Sequence, residues 1–261
     1  EGALLLSSGV LEIEPGITYT RQEDTTPGFV TVGAQVFASA VELNANILTA
    51  NLALRLGLPW ESQLEIGLPY RWRKSESVTS INFVPTSSTN QSNTELGDVS
   101  IGFAKTLLRE GLWRPDLVGR FTWDTDTGDA DGFHEFRGSL TAIKRQDPIT
   151  FIGGMSYQHT FESDQVKPGS VVFANFGNLI ALSPETSMRF LISGTYQNES
   201  KLSGRKIDDS DRTVGAFVIG GSILLAPGPL LNFSVGVGLT DDADDFSITL
   251  SLPIRFDKRL F

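Results

Sequence analysis

Two histidines, His134 and His159, are the only imidazoles in a chain that contains no cysteine. Disulfides, thiolate metal sites and a thiol nucleophile are thereby excluded, and an all-histidine metal site lacks ligands. An outer-membrane lipase would need a histidine and a nucleophilic serine two residues apart. His159 is instead followed by Thr160 and Phe161, and His134 sits beside Glu135 at the base of a loop. Gly153-Gly154 and Gly220-Gly221 lie inside alternating segments with no helix after them, so they read as sites of close packing or curvature rather than a phosphate cradle. The acidic run over residues 124–132 carries Asp129 where a calcium loop needs glycine; a solvated loop is the simpler reading. Neither an enzyme nor a bound cofactor or metal is expected.

The side chains with physical consequence are charges embedded in otherwise alternating segments: Glu12, Glu14, Arg55, Glu65, Asp116, Arg120, Arg189 and Arg255. Each holds the polar parity of its segment, opposite a parity of Leu, Ile, Phe and Val. On a lipid-facing surface such charges would cost about 2–4 kcal/mol near the bilayer midplane, so they are expected to face an enclosed lumen. Acids and bases crowded there can pair and replace lost hydration. They would then act as a polar filling that fixes register, or as a constriction whose pairs part when cargo passes.

Period-two alternation positions them. Phe246, Ile248, Leu250, Leu252, Ile254 and Phe256 alternate with Ser247, Thr249, Ser251, Pro253 and Arg255, and Leu231, Phe233, Val235 and Val237 with Asn232, Ser234, Gly236 and Gly238. Successive side chains of a strand point to opposite faces, so each segment has one apolar and one polar face. The same grammar recurs at residues 10–20, 47–58, 63–73, 98–107, 116–124, 135–144, 149–161, 171–182, 187–197 and 213–225. That makes about twelve strands, each near the ~9–11 residues of a tilted membrane crossing. Residues 29–43 are also strand-like and either extend the first hairpin beyond the membrane or fold over it. Short links (59–62, 110–115, 146–148, 184–186, 227–229) alternate with long polar ones (21–28, 74–96, 125–134, 162–168, 198–211, 241–245). Tyr19, Tyr70, Trp72, Trp123, Tyr157, Phe161 and Tyr196 gather toward the long loops, with Trp60, Trp113 and Phe256 at the opposite rim, as interfacial girdles do. A soluble sandwich also alternates, but need not sort its links by parity. The expected fold is all-β: an antiparallel up-and-down transmembrane barrel over residues 10–256, with an N-terminal segment 1–9 and a tail 257–261.

The balance of 21 Lys+Arg against 31 Asp+Glu gives a formal charge of -10, which opposes nucleic-acid binding. No apolar run approaches the ~20 residues of a spanning helix. The chain opens at Glu1 without an initiator Met or secretion signal, which reads as a mature or trimmed product joined to upstream sequence.

Two stretches carry a family resemblance: Gly2-Ala-Leu-Leu-Leu-Ser-Ser-Gly9 with Leu11-Glu-Ile-Glu-Pro-Gly-Ile-Thr-Tyr19, and Gly238-Leu-Thr-Asp-Asp-Ala-Asp-Asp-Phe-Ser-Ile-Thr-Leu-Ser-Leu-Pro-Ile-Arg-Phe256. The chain resembles the phenol meta-pathway superfamily of outer-membrane barrels and, within it, the barrel domain of the Fap functional-amyloid exporters. That resemblance implies a 12-stranded barrel in outer-membrane lipid, assembled as a homotrimer, with unfolded amyloid subunits as cargo passing from periplasm to cell surface. It also implies a coiled coil and a helical plug, and neither heptads nor a helical pattern occurs in this chain. Alternation ends at Phe256, so Phe261 serves as the terminal aromatic or the tail turns into the lumen mouth. The alternative is an uptake channel for small hydrophobic or aromatic compounds, which predicts an apolar pocket or a lateral opening. The inward faces, read as largely Ser, Thr, Gly, Asn and charged residues, favour export.

Overall fold

A computed structural model describes residues 5–256 apart from 33–34, 83, 129–132, 164 and 226–227. The expectations for the first four residues, for 129–132 and for the tail 257–261 lie outside the described residues. The fold is a closed antiparallel barrel of 12 strands. In chain order they are β1 (Leu11–Val32), β2 (Gln35–Leu58), β3 (Ser62–Ile81), β4 (two pieces, Val84–Leu96 and Ser100–Leu108), β5 (Asp116–Asp124), β6 (Glu135–Gln146) and β7 (Ile149–Thr160). After these come β8 (Val171–Ser183), β9 (Thr186–Gln197), β10 (Arg212–Leu224), β11 (Leu230–Gly238) and β12 (two pieces, Phe246–Ser251 and Ile254–Phe256). Each strand pairs with its sequence neighbours, and β1 closes the ring on β12, with Ile17 opposite Leu250 and Glu12 opposite Arg255.

Burial is inside-out relative to a soluble sandwich. Phe176, Ile192 and Met155 are 65%, 59% and 60% exposed, whereas Glu12 is 4% exposed and Gln63 and Asp116 are buried. Large apolar groups left in water on this scale are stable only against lipid. The exposed Tyr70, Trp72, Trp123, Tyr157, Phe161 and Tyr196 lie toward the long-loop end, and Trp60, Trp113 and Phe256 at the other, as expected of two girdles.

The seam between β1 and β12 is marked by prolines. Pro253 has no N–H, β12 breaks between Ser251 and Ile254, and the Leu252 N–H donates to the Pro15 carbonyl at 3.0 Å. Ser251 Oγ, next to the break, donates to Glu14 Oε1 at 2.6 Å. In the tight β2–β3 turn, three residues between the paired Leu58 and Ser62, Trp60 (φ 58°) and Glu61 (φ 54°) both take the left-handed conformation.

Two expectations need correction. Residues 21–28 and most of 74–96 are not loops: β1 runs for 22 residues and β2 for 24, against 12 in β6, and Val84–Leu96 pairs along β3 from Tyr70 to Ile81. Backbone pairing carries these strands on after apolar alternation stops, a continuation that a hydropathy pattern does not reveal. Residues 29–43 take the first of their two expected courses and extend the first hairpin outward, roughly 35 Å beyond Arg21 at strand rise. The link at 198–211 is likewise not plain loop: Lys201–Leu202 pairs with Arg205–Lys206 and with Val166–Lys167, tying two outer loops together.

Candidate functional site

Register assigns the lumen. Directly opposed residues of an antiparallel ladder share a face, so Glu12, Arg55 and Glu65, opposed in turn across β1, β2 and β3, all point inward, while Leu11, Leu56 and Leu64 point to lipid. Arg55 Nη1 is 2.7 Å from Glu12 Oε1 and also pairs with Glu14, and Arg255 Nε donates to Glu12 Oε2 at 2.7 Å. Glu12, the most enclosed member, is therefore gripped from both neighbouring strands across the barrel seam.

A second pair lies further round. Arg120 Nε is 2.9 Å from Glu65 Oε2, an ion pair by proximity whose N–H lies off the line of a hydrogen bond, and Gln63 Nε2 donates to Glu65 Oε1 at 2.7 Å. Asp116 is bound instead by Arg145 (2.7 Å) and accepts the Glu110 N–H at 2.6 Å. At that short-turn rim the Glu110 carboxyl is held below the usual carboxylate range, first by the backbone N–H of Arg145 and then by the Lys144 ammonium. Thus Glu12, Glu14, Arg55 and Arg255 form one cluster, Glu65 and Arg120 another, and Asp116 a third. Arg189 stands apart: it lies inward between Leu179 and Gly220 in register, its Nε is buried without a hydrogen bond, and among the described residues no carboxylate is within ion-pair distance.

The charged wall also holds the start of the chain. Leu5 is buried against Ala104 and Val118 on the lumen side of β4 and β5. The Leu6 N–H donates to Gln63 Oε1 at 2.9 Å, and Gly9 and Gly57 are tied by Gly9 N–H to Gly57 O and Gly57 N–H to Val10 O, both 2.9 Å. A Cβ on Gly57 would lie 2.0 Å from the Ser7 carbonyl oxygen, so this docking requires glycine. Sequence reading missed the segment because it is too short to show periodicity. The only signal was a glycine inside the regular alternation of β2.

The opposite wall is different in kind. Ile143, Ile152, Gly177, Leu191 and Val218 are opposed in succession across β6 to β10 and form one continuous inward row. Inward faces are largely Ser, Thr, Gly, Asn and charge, as expected, and this row is the apolar exception to that reading. It escapes alternation because β8 and β10 carry apolar residues on both parities, while in β9 Leu191 is the one large apolar residue on a parity otherwise made of Ser187, Arg189, Ser193 and Thr195. Toward the outer mouth, Arg120, Ser139, Ser156, Phe173 and Thr195 form a second row, and Thr122, Arg137, Gln158 and Val171 a third. Between them lies a cavity of about 470 Å³.

With this geometry, two solved structures are informative. An outer membrane channel from Pseudomonas putida F1 superposes with a TM-score of 0.69 at 13% identity, covering 96% of this chain and 97% of that one. The translocator domain of the autotransporter NalP from Neisseria meningitidis gives 0.53 at 11% identity, covering 98% and 91%. These likenesses show the fold. The family model described as "Putative MetA-pathway of phenol degradation" matches residues 19–256. The chain belongs to that family. Its matched span takes in every strand from β2 to β12, together with the outer part of β1 from Tyr19 onward. A closed barrel with lipid-facing apolar residues and two aromatic girdles places this family member in the outer membrane.

Proposed function

We propose that the barrel is an outer-membrane channel for small apolar or aromatic compounds. The observation that carries this reading is the inward row in which Ile143 and Ile152 on one side of Gly177 and Leu191 and Val218 on the other turn apolar side chains to the lumen. Apolar side chains turned into an aqueous lumen lose the hydrophobic stabilisation that lipid would give them, and an apolar solute sliding past restores part of it. The family's phenol-degradation description supports the same solute class. The charge clusters on the facing wall act as a constriction that keeps the passage narrow. In planar bilayers, benzyl alcohol is expected to block single-channel current in the millimolar range while erythritol does not, and Val218→Asp removes the block. Equal behaviour of the two solutes would overturn this reading.

Export of unfolded amyloid subunits by a homotrimer, as the resemblance to the Fap exporters implies, is the second reading. The outer piece of β4 favours it. Val84–Leu96 pairs only with β3, is exposed almost throughout and carries no charge before Glu95. Such an edge offers unpaired backbone groups to an extended chain. Normal surface-fibril yield after deletion of the locus would reject export.

A further inference from the structure

The cavity on the inner wall has two chemically distinct ends. Ser139 and Ser156 separate Arg120 from Phe173 along one cross-strand row, and in the next row outward Arg137 and Val171 flank Gln158. With strands about 4.8 Å apart, the small serines form a low floor roughly 14 Å long between guanidinium groups and an aromatic ring. Arg137 is the group that points to a ligand. Its Nε (2.9 Å) and Nη2 both donate to the neutral Gln158 Oε1, and among the described residues no carboxylate lies within ion-pair distance of it. The acids nearest in register, Asp124 and Glu135, stand one inward row further out, and Glu135 is already engaged by Gln158 Nε2 (2.6 Å) and Thr160 Oγ1 (2.7 Å). Arg120, by contrast, is compensated by Glu65. With Nε and Nη2 held on that amide, the Nη1–Nη2 edge of the guanidinium remains for a carboxylate, while Phe173 and Val171 supply an apolar surface at the other end.

We infer that this cavity is a selectivity site for aromatic carboxylates, with the carboxylate at Arg137 and the ring against Phe173. The inference rests on the reading of the barrel as a channel for small aromatic compounds, and it names the member of that class the wall prefers. A cavity of about 470 Å³ lies within the usual range for small-molecule sites and accommodates a single benzoate.

Block of single-channel current at pH 7.5 by benzoate, acetate and benzyl alcohol tests it. Benzoate is expected to block at concentrations at least tenfold lower than either acetate, which lacks the ring, or benzyl alcohol, which lacks the charge. Arg137→Gln should bring benzoate down to the level of benzyl alcohol without changing block by benzyl alcohol itself. Phe173→Ala should bring benzoate down to the level of acetate. A stable open-channel current without solute certifies that each variant is a folded pore, with block compared as a fraction of that variant's own current; if Arg137→Gln does not insert, Arg137→Lys, which keeps charge but loses the bidentate fork, is expected to weaken benzoate block severalfold. Benzoate and benzyl alcohol blocking alike in the unmodified channel would overturn the carboxylate site and leave the channel reading standing. Absence of block by all three would overturn both.

Discussion

The two walls of this lumen are built from the same ladder yet hold opposite chemistry. From β12 through β1 to β5 the inward positions are acids and bases in mutual contact, with Arg55 and Arg255 both on Glu12 and Arg120 beside Glu65. From β6 to β10 the inward positions include the apolar row of Ile143, Ile152, Leu191 and Val218, with serines, threonines and glycines around it and Arg137, Arg145 and Arg189 more widely spaced. The first wall is largely closed on itself, its polar groups spent on each other, on residues 5–10 and, for Asp116, on Arg145 of β6. The second has few internal partners to satisfy and is free to meet a solute. A barrel wide enough to need filling is thus filled from one side only.

The contrast can be broken most forcefully at Glu12. Replacing it with Ala leaves Arg55 with Glu14 alone and strips Arg255 of its carboxylate. Arg255 is largely solvated and Arg55 keeps Glu14, so losing these charge-assisted hydrogen bonds costs about 2 kcal/mol, and a fall in the unfolding temperature of the detergent-solubilised barrel is expected. Next is Gly57→Val, whose side chain occupies the place of the Ser7 carbonyl. Residues 5–10 should leave the wall and single-channel conductance should rise by a factor of a few; an unchanged current would show that this segment does not narrow the passage. Glu65→Gln comes third. It leaves Arg120 uncompensated beside the cavity, which should shift ion selectivity toward anions in reversal-potential measurements while costing about 1 kcal/mol or less, because both partners are partly solvated.

The smallest effect concerns the short-turn rim. Glu61 is held below its ordinary range first by a hydrogen bond from Arg109, and Glu110 first by the Arg145 N–H. A carboxyl depressed in the folded state stabilises above its unfolded value and loses that contribution as pH falls through the lower folded value. Acid below about pH 4 should therefore loosen these turns slightly, seen as faster amide exchange at residues 109–116 with the barrel intact.

Much of this fold could be read from strands with one apolar and one polar parity. β12 and the inner halves of β1, β2 and β3 are of that kind, and their alternation alone turns Glu12, Glu14, Arg55, Glu65 and Arg255 inward. What escaped has a common physical cause. The outer halves of β1 to β4 are solvated on both faces, so backbone pairing holds them without leaving a hydropathy period. In β8, Leu179 faces the lumen while Phe176 faces lipid, and two apolar parities conceal which side is which; in β9, Leu191 is the one large apolar residue on an otherwise polar inward parity, while Ile192 faces lipid. Arg145 and Gln63 were missed as partners because pairing across strands depends on register, which alternation alone does not set.

The absence of native cysteine allows the decisive contrast to be measured at adjacent positions of β9. In lipid vesicles, Leu191→Cys should react with a water-soluble, membrane-impermeant maleimide and be protected by millimolar benzyl alcohol, while Ile192→Cys should not react. Labelling at 192 with silence at 191, or labelling at 191 that benzyl alcohol leaves untouched, would contradict an apolar wall that faces the lumen and greets the solute.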